Sequence, residues 1–166
     1  MARFSLAFQS KVMVATADAA TMTSNGYAAF LQGGSVTAQM KVNEVYIAGE
    51  SAASNPTTMA FGRDSVVGAT AITAVGNFNA LLDGSATAPA TVSLFGSGAT
   101  TNPQRSATLG HLLEPTLNAF GGIARWQARY GEEITTIGNT ASLGELSLSA
   151  VTGTGQLSGH ILYELV

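Results

Sequence analysis

The chain holds two histidines, His111 and His160, and no cysteine, so few side chains can trade protons near neutral pH and none can act as a thiol nucleophile or thiolate ligand. In "LSGHILYEL" His160 alternates with Gly159 and Ile161. That alternation places it on the outer face of a strand, where a surface or subunit-contact histidine is expected before a general base. A Ser-His-Asp arrangement is spatial, not sequential. Even so, no Gly-x-Ser-x-Gly elbow singles out a serine, and no catalytic residue is assigned.

The stretch "GTGQLSG" (153–159) imitates a dinucleotide fingerprint, but its third Gly comes one residue late and it leads into a strand instead of opening a helix. It is rejected as a phosphate loop, and no cofactor is expected. Glu132, Glu133 and Asp83 are the acids that invite a calcium reading. Adjacent residues of a strand point to opposite faces, so Glu132 and Glu133 read instead as a solvated pair in a turn, and no metal is expected. Arg125 and Arg129 flank Gln127 on the polar side of one strand. They suit either acids on an adjacent strand or a neighbouring subunit. Around the loop "GESAASNP", Glu50, Arg63 and Asp64 read as ion pairs at strand ends, and the loop itself, small and neutral, as a contact loop. The expected interface set is therefore Arg125, Arg129, Glu132, Glu133, Arg63 and Glu50.

The elements that carry these residues follow a period of two. "RFSLAFQ" sets Phe4, Leu6 and Phe8 on one face; "TTMAFGRD" joins Met59 and Phe61 against Thr58 and Ala60. In "SVTAQMKVNEVYI" the apolar positions Val36, Ala38, Met40 and Val42 change parity at Val45 and Ile47. A bulge near Asn43 and Glu44 explains the slip. "ATAITAV" (69–75) and "ATVSLFG" (90–96) read as strands with a turn at Asp83-Gly84 and one possible helical turn around Asn79 to Leu82. "RSATLGHLLEPTLNAF" fits a strand or a short helix broken by Gly110 and Pro115, with strand preferred. "GGIARWQARYGEEI" turns Ala124, Trp126, Ala128 and Tyr130 toward the core; the last two strands turn in Leu146, Leu148 and Ala150, then Leu157, Ile161, Tyr163 and Leu165. Nine to eleven short strands with close turns describe an all-β protein, an antiparallel β-sandwich or jelly-roll-like barrel, as a single domain over residues 1–166.

Composition narrows the function. Charged residues are 10% of the 166 and apolar ones 46%, with a formal net charge of −3. The usual charged share is about 25%. A surface of Gly, Ala, Ser and Thr is easily desolvated, which suits burial against other subunits. Seven basic residues are too few for bulk nucleic-acid binding. "MARFSLAFQSKVMVATAD" is too broken by polar residues for a signal, and Ser65 to Leu82 is too polar to cross a bilayer. A soluble protein with no membrane or nucleic-acid partner is expected.

The ordered series "NEVYIAGESAASNPTTMAFGRDS", "LLDGSATAPATVSLF", "GGIARWQARYGEEI" and "LSGHILYEL" resembles a family of short tailed-bacteriophage proteins over residues 36 to 166. Arg125, Trp126, Gly131 and Glu133 match its pattern best, while Tyr130 stands where Pro is frequent. The resemblance implies a minor virion protein of β-sandwich or jelly-roll type, a capsid decoration (cement) protein on the capsid surface. Its implied partners are the major capsid protein and further copies of itself, as a trimer or dimer. It implies no catalytic residues. A carbohydrate-binding or host-adhesion β-sandwich module of a phage fibre or secreted protein is the alternative expectation.

Overall fold

The computed structural model describes residues 3–32, 39–68, 79–82, 92–94, 101–136 and 144–166. Twelve strands are found among them: β1 (Arg3–Val14), β2 (Tyr27–Gln32), β3 (Met40–Gly49), β4 (Pro56–Val66), β5 (Asn79–Leu81), β6 (Val92–Leu94), β7 (Gln104–Arg105), β8 (Thr116–Asn118), β9 (Ile123–Gln127), β10 (Ile134–Thr135), β11 (Glu145–Thr152) and β12 (Thr154–Leu165). One sheet runs β5-β1-β12-β3, with β9 and β10 both on the far side of β3. The other runs β6-β2-β11-β4, with β7 and β8 beyond β4. All pairings are antiparallel. The fold is a β-sandwich, and the chain visits its strands in jelly-roll order: the first pairs with the last, the second with the one before it, and the third and fourth with the segments between.

Alternation decides which face each strand buries. Phe4 and Leu6 of β1, Met59 and Phe61 of β4, Leu146, Leu148 and Ala150 of β11, and Leu157, Ile161 and Tyr163 of β12 all lie between the sheets with no exposed surface. Each large side chain so buried contributes roughly 1.5–3 kcal/mol. Phe4 and Tyr163 stack with ring centroids 5.4 Å apart. The parity change in β3 is a bulge: Leu162 faces Glu44 while Tyr163 faces Val42, which leaves Asn43 as the extra residue. Glu44 is thereby moved to the outer face, and Val45 and Ile47 return to the core.

The two sheets differ on their outer faces. Ala60, Gly62 and Asp64 of β4 and Glu145, Ser147 and Ser149 of β11 point away from the core, yet all are buried. Residues 15–26 and 103–113 lie over them: Met22 packs on Tyr27 and Phe30, Met22 N donates to Pro103 O, and the chain at Gly110 rests on Gly62. A Cβ at Gly62 would run into the Gly110 carbonyl. Gly62→Ala is therefore expected to cost about 3 kcal/mol through overpacking against backbone, read as a lowered urea midpoint; an unchanged midpoint would refute the close approach.

Four expectations are corrected here. Asn79–Leu81 is a strand paired with β1 and not a helical turn. Residues 106–113 form turns tied to β4 by an isolated bridge from Leu113 to Phe61, since Gly110 and Pro115 interrupt any longer ladder, and the regular strand begins only at Thr116. Tyr130 is fully exposed, because β9 stops at Gln127 and Gly131, at φ +84, turns the chain. The strand count exceeds the expected nine to eleven. The readings at Val36 and Ala38, at 69–75 and at Asp83-Gly84 lie outside the described residues, as do residues 90, 91, 95 and 96 of the 90–96 strand.

Candidate functional site

Beneath the loops on the second sheet lies a layer of buried polar groups. Arg105, 1% exposed, donates from Nε to Asp18 Oδ1 at 2.6 Å, from Nη1 to Ser149 Oγ at 2.6 Å, and from Nη2 to the Thr16 carbonyl. Asp18 also meets His111 Nε2 at 3.0 Å, and His111 Nδ1 meets Glu114 at 3.1 Å. Burial opposes the charge on Asp18, but the bonds to His111 and Arg105 outweigh it and hold its carboxyl below the usual range. The same contact raises His111, with Glu114 adding to it. Deeper in, Ser147 Oγ donates to Asp64 Oδ1 at 2.7 Å, Gly68 N donates to the Glu145 carboxyl, and Asp64 Oδ2 has no hydrogen-bond partner.

Among the described residues, no loop lies over the outer face of the first sheet. Its rows run Ala7, His160, Tyr46, Arg125 and Ser5, Leu162, Glu44, Gln127 across β1, β12, β3 and β9, with Ser158, Ala48 and Ile123 beyond. The side chains of these rows are small or uncharged except for one cluster, while a further row, Arg3, Glu164 and Lys41, is charged throughout. Glu44, 6% exposed, accepts from Arg125 Nη2 at 2.7 Å and meets His160 Nε2 at 2.9 Å. The His160 ring stacks on Tyr46 at 5.2 Å. Burial works against the Glu44 charge, and the bonds from Arg125 and His160 overcome it to keep the carboxyl low.

Between the paired strands β3 and β9 of the first sheet and Phe61 and Leu113 lies a cleft of about 360 Å³, lined by Val45, Ile47, Phe61, Leu113, Ala124 and Trp126 together with Glu114, Pro115 and Arg125. Phe120, Ile123 and Tyr130 are exposed along the β9 edge.

The expected interface residues are only partly brought together. Arg125, Arg129, Glu132 and Glu133 share the β9 edge and the turn after it, where Glu132 N donates to Arg129 O and Gly131 N to Glu133 Oε1. The solvated-turn reading of the two glutamates agrees with this geometry. Arg125 pairs with an acid on the adjacent strand, one of its two expected partners. The ion-pair reading of Glu50, Arg63 and Asp64 is overturned for Asp64, and among the described residues Glu50 meets a hydroxyl instead of a cation. Glu50 accepts from Ser10 Oγ at 2.8 Å, Arg63 donates to the Thr135 carbonyl at 2.9 Å, and Asp64 lies buried on the opposite face from Arg63, since neighbours on a strand alternate. His160 is on the outer face as expected.

Sequence reasoning missed the Asp18–His111–Arg105 network and the Asp64–Glu145 neighbourhood. Chemically these groups bind one another: among the described residues neither histidine meets a hydroxyl, and no three His, Cys, Asp or Glu converge as metal ligands. No protein-family model matches the chain, and no curated protein or solved structure matches it.

Proposed function

We propose that this is a non-enzymatic structural protein of a bacteriophage virion, a decoration (cement) protein that binds the capsid exterior and stiffens its lattice. One observation carries the reading: one broad face of the sandwich is sealed by the chain's own loops, while no described residue lies over the opposite face, whose central rows are mostly small or uncharged side chains. Its central rows are inexpensive to desolvate, since Glu44 is paired with Arg125 and His160 within the chain and the charged row Arg3, Glu164 and Lys41 lies to one end. The resemblance of the β3–β4, β9 and β12 segments to phage virion proteins supports the same reading. The partner is the major capsid protein, together with further copies of this chain. Stabilisation would come from repetition: an interface of about 1,600 Å² need not be tight when many copies hold one shell together.

Among the described residues, fully exposed Tyr130 favours the carbohydrate-binding alternative. A single ring on a turn is a small platform, and Trp126 faces the cleft instead of solvent.

The test is co-sedimentation with matched capsids that lack the protein. The chain is expected to pellet with them and to delay their thermal disruption. Ala7→Glu, which places a charge on this face, is expected to abolish pelleting without changing the circular dichroism. Failure of the unaltered protein to pellet sinks the proposal.

A further inference from the structure

We infer that His111 is a pH-operated latch: protonated, it ties Glu114, in the lining of the cleft, to Asp18 in the loop over the second sheet, and on losing its proton it frees the Glu114 side chain. The inference goes beyond the capsid reading and does not depend on it.

The latch follows from how two acids meet one ring. Both Asp18 carboxylate oxygens lie 3.0 Å from Nε2 of His111, and Glu114 Oε2 lies 3.1 Å from Nδ1. An imidazolium donates from both nitrogens, whereas neutral imidazole keeps one N–H and turns a lone pair outward from the other. Only the charged ring satisfies both acids at once. The bond to Asp18 first, then that to Glu114, raises His111 above its ordinary value against the opposing effect of burial. No further charge competes for the ring. Arg105 stands behind Asp18, Asp64 and Glu145 lie deeper on β4 and β11, and Arg63 leaves β4 by the opposite face toward the Thr135 carbonyl.

Once the proton is lost, one carboxylate is left facing a lone pair and must give way. Asp18 is the one held, because buried Arg105 donates from Nε to its Oδ1 at 2.6 Å. Glu114 is the one released: its side chain is half exposed, and His111 is its partner among the described residues. The backbone on either side of it stays tied, since Leu113 N donates to Phe61 O and Pro115 O accepts from Met59 N. Movement is therefore confined to the side chain. The consequence falls on the cleft that Glu114 lines together with Leu113 and Trp126. With the latch closed at lower pH, the imidazolium neutralises Glu114 and the cleft is apolar. With it open at higher pH, an unpaired carboxylate stands there and draws in water or a cation at the expense of an apolar guest.

Proton NMR of the full chain tests this, because two histidine rings and one indole give few signals. His111→Gln removes one ring signal and so assigns it. In the unaltered protein His111 is expected to titrate with a midpoint above 6.5, and the Trp126 indole N–H resonance is expected to shift with that same midpoint. In Glu114→Gln the His111 midpoint should fall, and the Trp126 shift should vanish although His111 still titrates. Glu145→Gln should keep the Trp126 shift, which separates the latch from the buried acid pair. Four results overturn the inference: a His111 midpoint at or below 6.5, a Trp126 resonance that stays still while His111 titrates, one that still shifts in Glu114→Gln, or one that no longer shifts in Glu145→Gln.

Discussion

Arg105→Met is expected to destabilise the protein by about 3–5 kcal/mol, the usual loss when one member of a buried, hydrogen-bonded charge group is removed. Against a total margin of roughly 5–15 kcal/mol, that comes close to unfolding the chain. The side chain is buried under residues 15–26, and its three bonds reach Asp18, Ser149 and the Thr16 carbonyl. It therefore ties the covering loop to β11. Met fills much of the volume but satisfies none of these acceptors, and it removes the positive charge that acts on buried Asp64. Asp18 retains His111, so the damage falls on Ser149, Thr16 and Asp64, and the cover over Tyr27 and Phe30 loosens. Arg105→Lys is not a rescue, because a single ammonium cannot span the three directions of the guanidinium fork. Urea unfolding measures the effect. A loss below about 1 kcal/mol, the value of one ordinary hydrogen bond, would show that Arg105 is not the tie described.

How far the fold was legible follows from which neighbours set each residue's environment. β12 and the first half of β1, up to Phe8, were legible because their side chains alternate between the core and an outer face, whereas a bulge at Ser10, with φ 51, reverses the parity of β1 beyond it. The Asn43 bulge left a mark in the sequence because one extra residue reverses the parity of everything after it. Asp64, Glu145, Ser147 and Ser149 sit at positions that alternation assigns to water. Loops distant in sequence bury them, and period-two patterning carries no information about what lies over a face. One local signal was available for Asp64: it directly follows Arg63 on a strand, so the two cannot share a face. Tyr130 was misplaced by continuing the β9 alternation past its end, and Gly131 with its positive φ is the residue that marks the stop. The Glu44–Arg125 pair was half legible, since an acid partner on an adjacent strand was expected but β3 was not identified. The cleft was not legible at all, because Val45 and Trp126 meet Phe61 and Leu113 only through the fold.

Glu145→Gln is expected to stabilise the protein at neutral pH by about 2 kcal/mol, and the reason lies in the register of β11 on β4. Leu146 pairs with Arg63 and Ser147 with Gly62, so the next step sets Glu145 against Asp64. Both are wholly buried. Two carboxylates so placed cannot both ionise, and one proton stays with the pair. Burial first, then the Asp64 charge, pushes Glu145 up to about 10; burial pushes Asp64 up to about 6. A carboxyl raised in the folded state contributes stability that is complete below its unfolded value, about 4.3 for Glu, and that drains away as pH rises toward the folded value. The unaltered protein should therefore melt at progressively lower temperature from about pH 5 to about pH 9. The slope has an upper limit of about 1.36 kcal/mol per pH unit for a single proton. Glutamine keeps an oxygen to accept from Gly68 N and supplies an N–H toward Asp64 without needing a proton from solvent. Its melting curve should be flatter over that range and about 4–8 °C higher at pH 7. Equal pH slopes in the two proteins would mean that no proton is shared between β4 and β11, and that the unpartnered Asp64 Oδ2 is satisfied by some other group.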